Sequence, residues 1–201
     1  MNRIECIEAF VRQRRGALVI VSPGFSGHEL FSVEHDDATL YNMDMGISAP
    51  MCLGLALAVG PAQPVVALEG DGSMLMSLGT FATMARYAPP NFGIVVFDNR
   101  SYLTTGRGVV ASATAHGTDL AAMARGAGVA HAATVEDVAA FEDAVTQGIG
   151  GGGPWVVVAR VDTADRGDPR ARGAFATDLV EQTMLFGRAL RERGLVPAPS
   201  R

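Results

Sequence analysis

Pro64-Val65-Val66-Ala67-Leu68-Glu69-Gly70-Asp71-Gly72-Ser73 is the stretch that decides the fold. Its first half, Pro64 to Leu68, is a short apolar run closed by a glycine. Such a run reads as a strand buried on both faces. Behind it, Ser73 to Tyr87 places Leu75, Leu78, Ala82 and Ala85 at helical spacing. A buried strand followed by a helix is the alternation of a parallel sheet.

The same alternation recurs outward along the chain. Ala17 to Val21, closed by Ser22-Pro23-Gly24, reads as a buried strand, as do Phe92 to Phe97 and Trp155 to Ala159. Leu40-Tyr41-Asn42 and Val129 to Ala132 are short additional strand candidates. Helices are predicted over Asn2 to Arg14, with Ile4, Ile7 and Val11 on one face, and over Asp119 to Gly126 and Val135 to Gly148. The last is predicted at about Phe175 to Arg193. The Gly- and Ala-rich run from Ile47 to Pro64 reads as a buried helix, because a membrane span needs roughly 20 mostly apolar residues and basic flanks. Gly150-Gly151-Gly152-Gly153 is a flexible turn before the last strand. The expectation is an α/β fold, a doubly wound and mostly parallel sheet with helices on both faces. No repeat or long linker appears, so a single domain is expected over residues 1–194, with a flexible tail over 195–201.

Composition narrows the partners. The 201 residues are 48% hydrophobic and 18% charged, a balance that supports a buried core rather than disorder. A net charge of -5 gives no footprint for nucleic acid or an anionic membrane. Met1-Asn2-Arg3-Ile4-Glu5 lacks the charge pattern of a secretory signal. Cys6 and Cys52 form neither metal spacing nor a disulfide framework, and Cys52 reads as a core filler. A cytoplasmic location is expected.

Ligands of doubly wound sheets bind beyond the carboxyl ends of the strands, near the switch in strand order. The sequence is unusual at those places. After the strand ending at Leu68, Gly70 and Gly72 let the backbone turn sharply and approach a ligand. Amides at the start of the following helix can face an anion. Asp71 can hold a hard divalent cation that bridges phosphate oxygens. After the next strand comes Asp98-Asn99-Arg100-Ser101-Tyr102. There the Asn99 side-chain carbonyl and the Ser101 main-chain carbonyl are suitable further ligands. Each segment alone is a common turn. Their order is more specific, because Asn99 follows Asp71 by 28 positions across one helix and one buried strand.

This order resembles the cofactor motif of the thiamine-diphosphate-dependent enzyme superfamily. The likeness extends to Met45-Gly46 at the head of a small-residue helix, where family members often have Gly-Ser-Met-Gly. Met43-Asp44 departs from that pattern. The chain looks like the pyrophosphate-binding domain. More narrowly, it looks like the small subunit of split 2-oxoacid decarboxylases acting on sulfopyruvate, and like the equivalent half of phosphonopyruvate decarboxylase. Leu53 to Ala58, Gly70 to Gly79, Asp98-Asn99, Thr104-Thr105-Gly106 and Thr118 to Ala121 carry the narrower likeness.

The resemblance implies thiamine diphosphate and Mg2+ as cofactors. Asp71, Asn99 and the Ser101 carbonyl would hold the metal. Gly70, Gly72, Ser73 and Tyr102, with Phe25 and Ser26 of the first loop, would stand around the diphosphate. Met45 would prop the thiamine in its bent form, and the Met43 carbonyl would meet the aminopyrimidine. The implied reaction is decarboxylation of a small 2-oxoacid to an aldehyde. His116 and His28 are proton-transfer candidates. Arg107, with Arg100 nearby, is a candidate partner for a sulfonate or phosphonate tail. Leu103 to Gly117, with three glycines and no apolar period, reads as a lid.

The glutamate that such chemistry places against the pyrimidine sits on a second domain, for which this chain has no length. A pyrimidine-binding partner subunit in a hetero-oligomer is therefore implied. Other readings compete. A carboligase of the acetolactate type normally has a longer, fused chain. An oxoacid oxidoreductase subunit usually carries cluster-binding cysteines, which Cys6 and Cys52 cannot supply alone. A non-catalytic scaffold is opposed by the intact Asp71 and Asn99. A dinucleotide fold lacks its glycine fingerprint after Val21.

Overall fold

A computed structural model describes residues 1–103, 109–163 and 178–197. Six strands form one parallel sheet: β1 (Leu18–Val21), β2 (Thr39–Leu40), β3 (Val65–Gly70), β4 (Phe92–Asp98), β7 (His131–Val135) and β8 (Trp155–Arg160). A separate antiparallel hairpin is built from β5 (Ser101–Tyr102) and β6 (Val110–Ala111). The sheet order is β2-β1-β3-β4-β8-β7, which confirms the doubly wound α/β fold. The chain turns back between β1 and β3, so the switch point lies at the tips of those two strands.

Each central strand alternates its side chains between two cores. Leu18 and Ile20 of β1, Val65 and Ala67 of β3, and Ile94 and Val96 of β4 enter one core. It is covered by α3 (Ser48–Val59), α4 (Asp71–Leu75), α5 (Gly79–Tyr87), α6 (Leu120–Gly126) and α8 (Leu179–Glu192). Val19, Val21, Val66, Leu68, Val95 and Phe97 enter the other. That core lies under α1 (Arg3–Gln13), α2 (Phe25–Val33) and α7 (Val138–Gly150). Burial on both faces explains why these strands read as unbroken apolar runs.

The structure corrects the expectations in four places. The helix predicted from Ser73 to Tyr87 is two helices, α4 and α5. Between them the Met76 and Ser77 amides donate to carbonyls three residues back, at 3.1 and 3.0 Å, so the turn tightens and the axis breaks. The Met76 backbone there leans on Gly46, where an added Cβ would stand 3.0 Å from the Met76 Cβ. Helix α2 was not anticipated, because Phe25, Ser26 and Gly27 are weak helix formers and tertiary packing supplies the stability. Helix α3 is only half buried, since Met51 and Leu57 on its outer face are exposed. Finally, Leu195 and Val196, expected in the flexible tail, pack against the core.

Among the described residues, no helix is long and apolar enough to cross a membrane. The start of the last predicted helix at Phe175, the Thr104-Thr105-Gly106 run and residues 198–201 lie outside the described residues.

Candidate functional site

Three strand tips build the site. Beyond β1 the chain turns through Pro23 and Gly24, whose φ of 125° only glycine adopts easily. Ser22 locks this turn to β3, its amide donating to the Leu68 carbonyl at 2.9 Å and its hydroxyl accepting from the Gly70 amide at 3.1 Å. The β3–β4 register pairs Gly70 with Phe97, which sets Asp71 beside the Asp98-Asn99 step. Parallel neighbours end at the same level, so the motif spacing read in the sequence becomes proximity in space.

One cleft forms where these tips meet. Phe25 and Ser26 line it from the β1 side, and Gly70, Asp71, Gly72 and Ser73 from β3. Asn99, Ser101 and Tyr102 line it from the hairpin side, and Met45 closes it from the segment before α3. The Gly46 amide donates to the Ser73 hydroxyl at 2.9 Å, which ties the Met45-Gly46 step to the glycine loop. The Tyr102 ring lies over Gly72, and a Cβ added there would overlap it, so glycine is required for close approach. Gly72→Ala is expected to push Tyr102 out of place and weaken anion binding more than it lowers the melting temperature, measurable by calorimetry beside thermal unfolding.

The donor set has one carboxylate. Asp71 is 2% exposed. Burial, and secondarily the charge of Asp98, push its carboxyl above the usual range, while hydrogen bonds from Ser112 and Thr114 pull it back. The Asn99 side-chain oxygen accepts from the Ser101 amide at 3.0 Å and keeps a second lone pair. One carboxylate, one amide oxygen and a nearby main-chain carbonyl are oxygen ligands of the kind a hard divalent cation takes. Glu69, two residues before Asp71, is fully buried, and burial raises its carboxyl to about 7. Its Oε1 accepts from the Ala49 amide at 2.7 Å and holds the start of α3.

Not every predicted residue reaches the cleft. Met43 rests partly buried against the core and is tied by its amide to the Val21 carbonyl at 2.9 Å. His116 ends a 3-10 turn (Ala113–His116) and is exposed, and Arg100 is also exposed. His28 is half-buried in α2, where desolvation lowers its pKa. Arg107 lies outside the described residues.

Three features escaped the sequence. Arg3, at the start of α1, lines the cleft and pairs with Glu29 at 2.7 Å, both side chains buried. The lid expected over Leu103 to Gly117 is structured in its second half. There Ser112 and Thr114 are buried and hydrogen-bond to Asp71. Asp98, read only as a neighbour of Asn99, is buried and paired with Arg160 at 2.9 Å. Only the polar alternation Ser112-Ala113-Thr114 hinted at such a role.

Comparison with known proteins agrees with this geometry. The family model described as thiamine pyrophosphate enzyme, C-terminal TPP binding domain, matches residues 29–159. The chain is 42% identical over 107 residues to the sulfopyruvate decarboxylase subunit beta of Methanothermobacter thermautotrophicus, covering 53% of this chain and 57% of that protein. It is 30% identical over 161 residues to the same subunit of Methanococcus maripaludis, covering 80% of this chain and 84% of that one. A solved structure from Mycobacterium smegmatis, described as a thiamin diphosphate-dependent enzyme, superposes with a TM-score of 0.69 at 25% identity, over 81% of this chain and 32% of that one. The chain therefore spans little more than half of the first relative and about a third of the solved protein. On the family match, the strand-tip motif and the sheet order together, the chain belongs to the thiamine pyrophosphate enzymes, as their C-terminal TPP-binding domain.

Proposed function

We propose that this chain is the metal- and diphosphate-binding subunit of a 2-oxoacid decarboxylase, and that a partner chain supplies the pyrimidine-side glutamate. One observation carries the reading: Asp71, Asn99 and Ser101, from two neighbouring strand ends, line a single cleft. Asp71, the Asn99 amide oxygen and the Ser101 carbonyl would hold Mg2+. Ser73, Ser26 and Tyr102 would stand around the diphosphate, and Met45 and the Met43 carbonyl around the thiamine. When bound, the cofactor supplies the carbon nucleophile and the electron sink for loss of carbon dioxide. The protein's part is to fix charge and geometry and to exclude water. An anionic substrate such as sulfopyruvate or phosphonopyruvate fits the relatives' names. Arg107 is proposed to pair with its tail, and His116 to move a proton.

The surface supports a partner. Exposed large apolar residues are unevenly placed among the described residues. Ile47, Met51, Met76, Tyr87, Met123, Val180 and Met184 lie in or beside the layer of α3, α4, α5, α6 and α8, Val109 and Val110 lie at the β5–β6 hairpin, and none lies on α1, α2 or α7. Ile47, Met51 and Met76 flank the Met45-Gly46 step, where a pyrimidine-binding partner would close the site. Met51→Asp is expected to abolish co-purification of the partner while leaving the melting temperature of the isolated chain nearly unchanged.

The test is reconstitution with the pyrimidine-binding chain, following carbon dioxide release from sulfopyruvate, phosphonopyruvate and pyruvate. The expected result is release that needs both chains, thiamine diphosphate and Mg2+. Full turnover by this chain alone would refute the split site. Acetolactate formed from pyruvate would assign a carboligase instead.

A further inference from the structure

Two buried hydroxyls stand behind Asp71. Ser112 and Thr114 stand at the entrance of the 3-10 turn, 1% and 4% exposed. The Ser112 hydroxyl donates to Asp71 Oδ2. Thr114 Oγ1 lies 3.2 Å from that same oxygen, 2.9 Å from Ser112 Oγ and 2.7 Å from Asp98 Oδ1. Both hydroxyls therefore converge on Oδ2 and leave Oδ1 to other partners. A threonine has one hydroxyl proton to give. Thr114 shares that proton between Asp98, on the short contact, and Asp71 Oδ2, while Ser112 donates to Asp71. Asp98 is completed by the Arg100 amide at 3.0 Å on Oδ1 and by Arg160 Nη1 at 2.9 Å on Oδ2.

We propose that Thr114 and Ser112 are positioning residues for the cation. They set the rotamer of Asp71 so that one carboxylate oxygen is held by hydroxyls and the other is left to bind a divalent ion. Thr114 at the same time stands between Asp71 and Asp98, which Arg160 holds from its other oxygen. A ligating carboxylate that loses its hydrogen-bonded support typically loses about 10–100-fold in metal affinity. The inference rests on the assignment of Asp71 as a metal ligand, and extends it to residues 41 and 43 positions away in the chain.

The experiment is a calorimetric titration of the full chain with Mg2+ in the presence of thiamine diphosphate, with the partner included where it co-purifies. Thr114→Val is expected to weaken Mg2+ binding by about ten-fold or more. Thr114→Ser should restore it to near wild type. The melting temperature of the metal-free proteins reports folding separately. Ser112→Ala, which leaves the Thr114–Asp98 bond in place, is expected to act in the same direction and serves if Thr114→Val does not fold. In an Asp98→Asn background the effect of Thr114→Val should shrink, because the charge being separated is gone. Wild-type Mg2+ affinity in folded Thr114→Val or Ser112→Ala overturns the inference and leaves the proposed function standing. Absence of any Mg2+-dependent thiamine diphosphate binding by the wild-type protein overturns both.

Discussion

Asp71→Asn is expected to cost at least about 100-fold in Mg2+-dependent thiamine diphosphate affinity, or about 2.7 kcal/mol. The side chain keeps its shape, so the loss measures charge. Asn99 and the Ser101 carbonyl offer only neutral oxygens, and without the Asp71 carboxylate the set has no anion to set against a divalent ion. Equilibrium dialysis of thiamine diphosphate at fixed Mg2+ reads the effect. Stability should move the other way. Burial and the charge of Asp98 both raise the Asp71 carboxyl above its ordinary range. A raised acid destabilises the fold wherever the unfolded chain would be ionised, which is the neutral range, and the penalty disappears below the ordinary carboxylate pKa. Metal-free Asp71→Asn should therefore melt above wild type at neutral pH, with the gap closing in acid. Retained cofactor affinity together with a lower melting temperature would show that Asp71 is a structural acid and not a ligand.

That the key pair was legible has a physical cause. A buried strand has a narrow range of lengths, and one crossover helix fixes the distance to the next strand. The interval from Asp71 to Asn99 therefore reports adjacency of two strand tips, which the β3–β4 register bears out. The same double burial made β1, β3, β4 and β8 readable, whereas two-residue β2 has too short a pattern to place closely. The supports of the site were hidden for the opposite reason. Ser112 and Thr114 reach Asp71 from the turn after a hairpin with no apolar period, and Arg3 reaches the cleft from the start of α1. Such contacts come from the packing of elements, which no local pattern records. The break at Met76 is of the same kind, since its leaning on Gly46 joins two segments that look independent in the sequence.

A long-range contact of this kind underlies the largest stability change to be expected away from the cleft. Trp155 opens β8 and is 3% exposed. Its indole is clamped between Gly93 of β4 and Gly148 of α7, and a Cβ at either glycine would overlap the ring. The ring cannot retreat from one without striking the other. Gly93→Ala must therefore expel the indole or part the strand from the helix. Overpacking costs about 1–3 kcal/mol, and losing much of a buried tryptophan's packing adds to it, so about 2–4 kcal/mol is expected. For a chain of this size that lowers the melting temperature by roughly 5–15 °C. Gly54 provides the control, because it lies within α3 with open space around its would-be Cβ. There the same substitution should stabilise, by about 0.5–1 kcal/mol, through helix propensity. Pairing Gly93→Ala with Trp155→Leu should recover part of the loss, since a smaller side chain makes room for the methyl group. If the two substitutions instead add independently, the indole is not what Gly93 accommodates, and the glycine in β4 must be explained by the backbone alone.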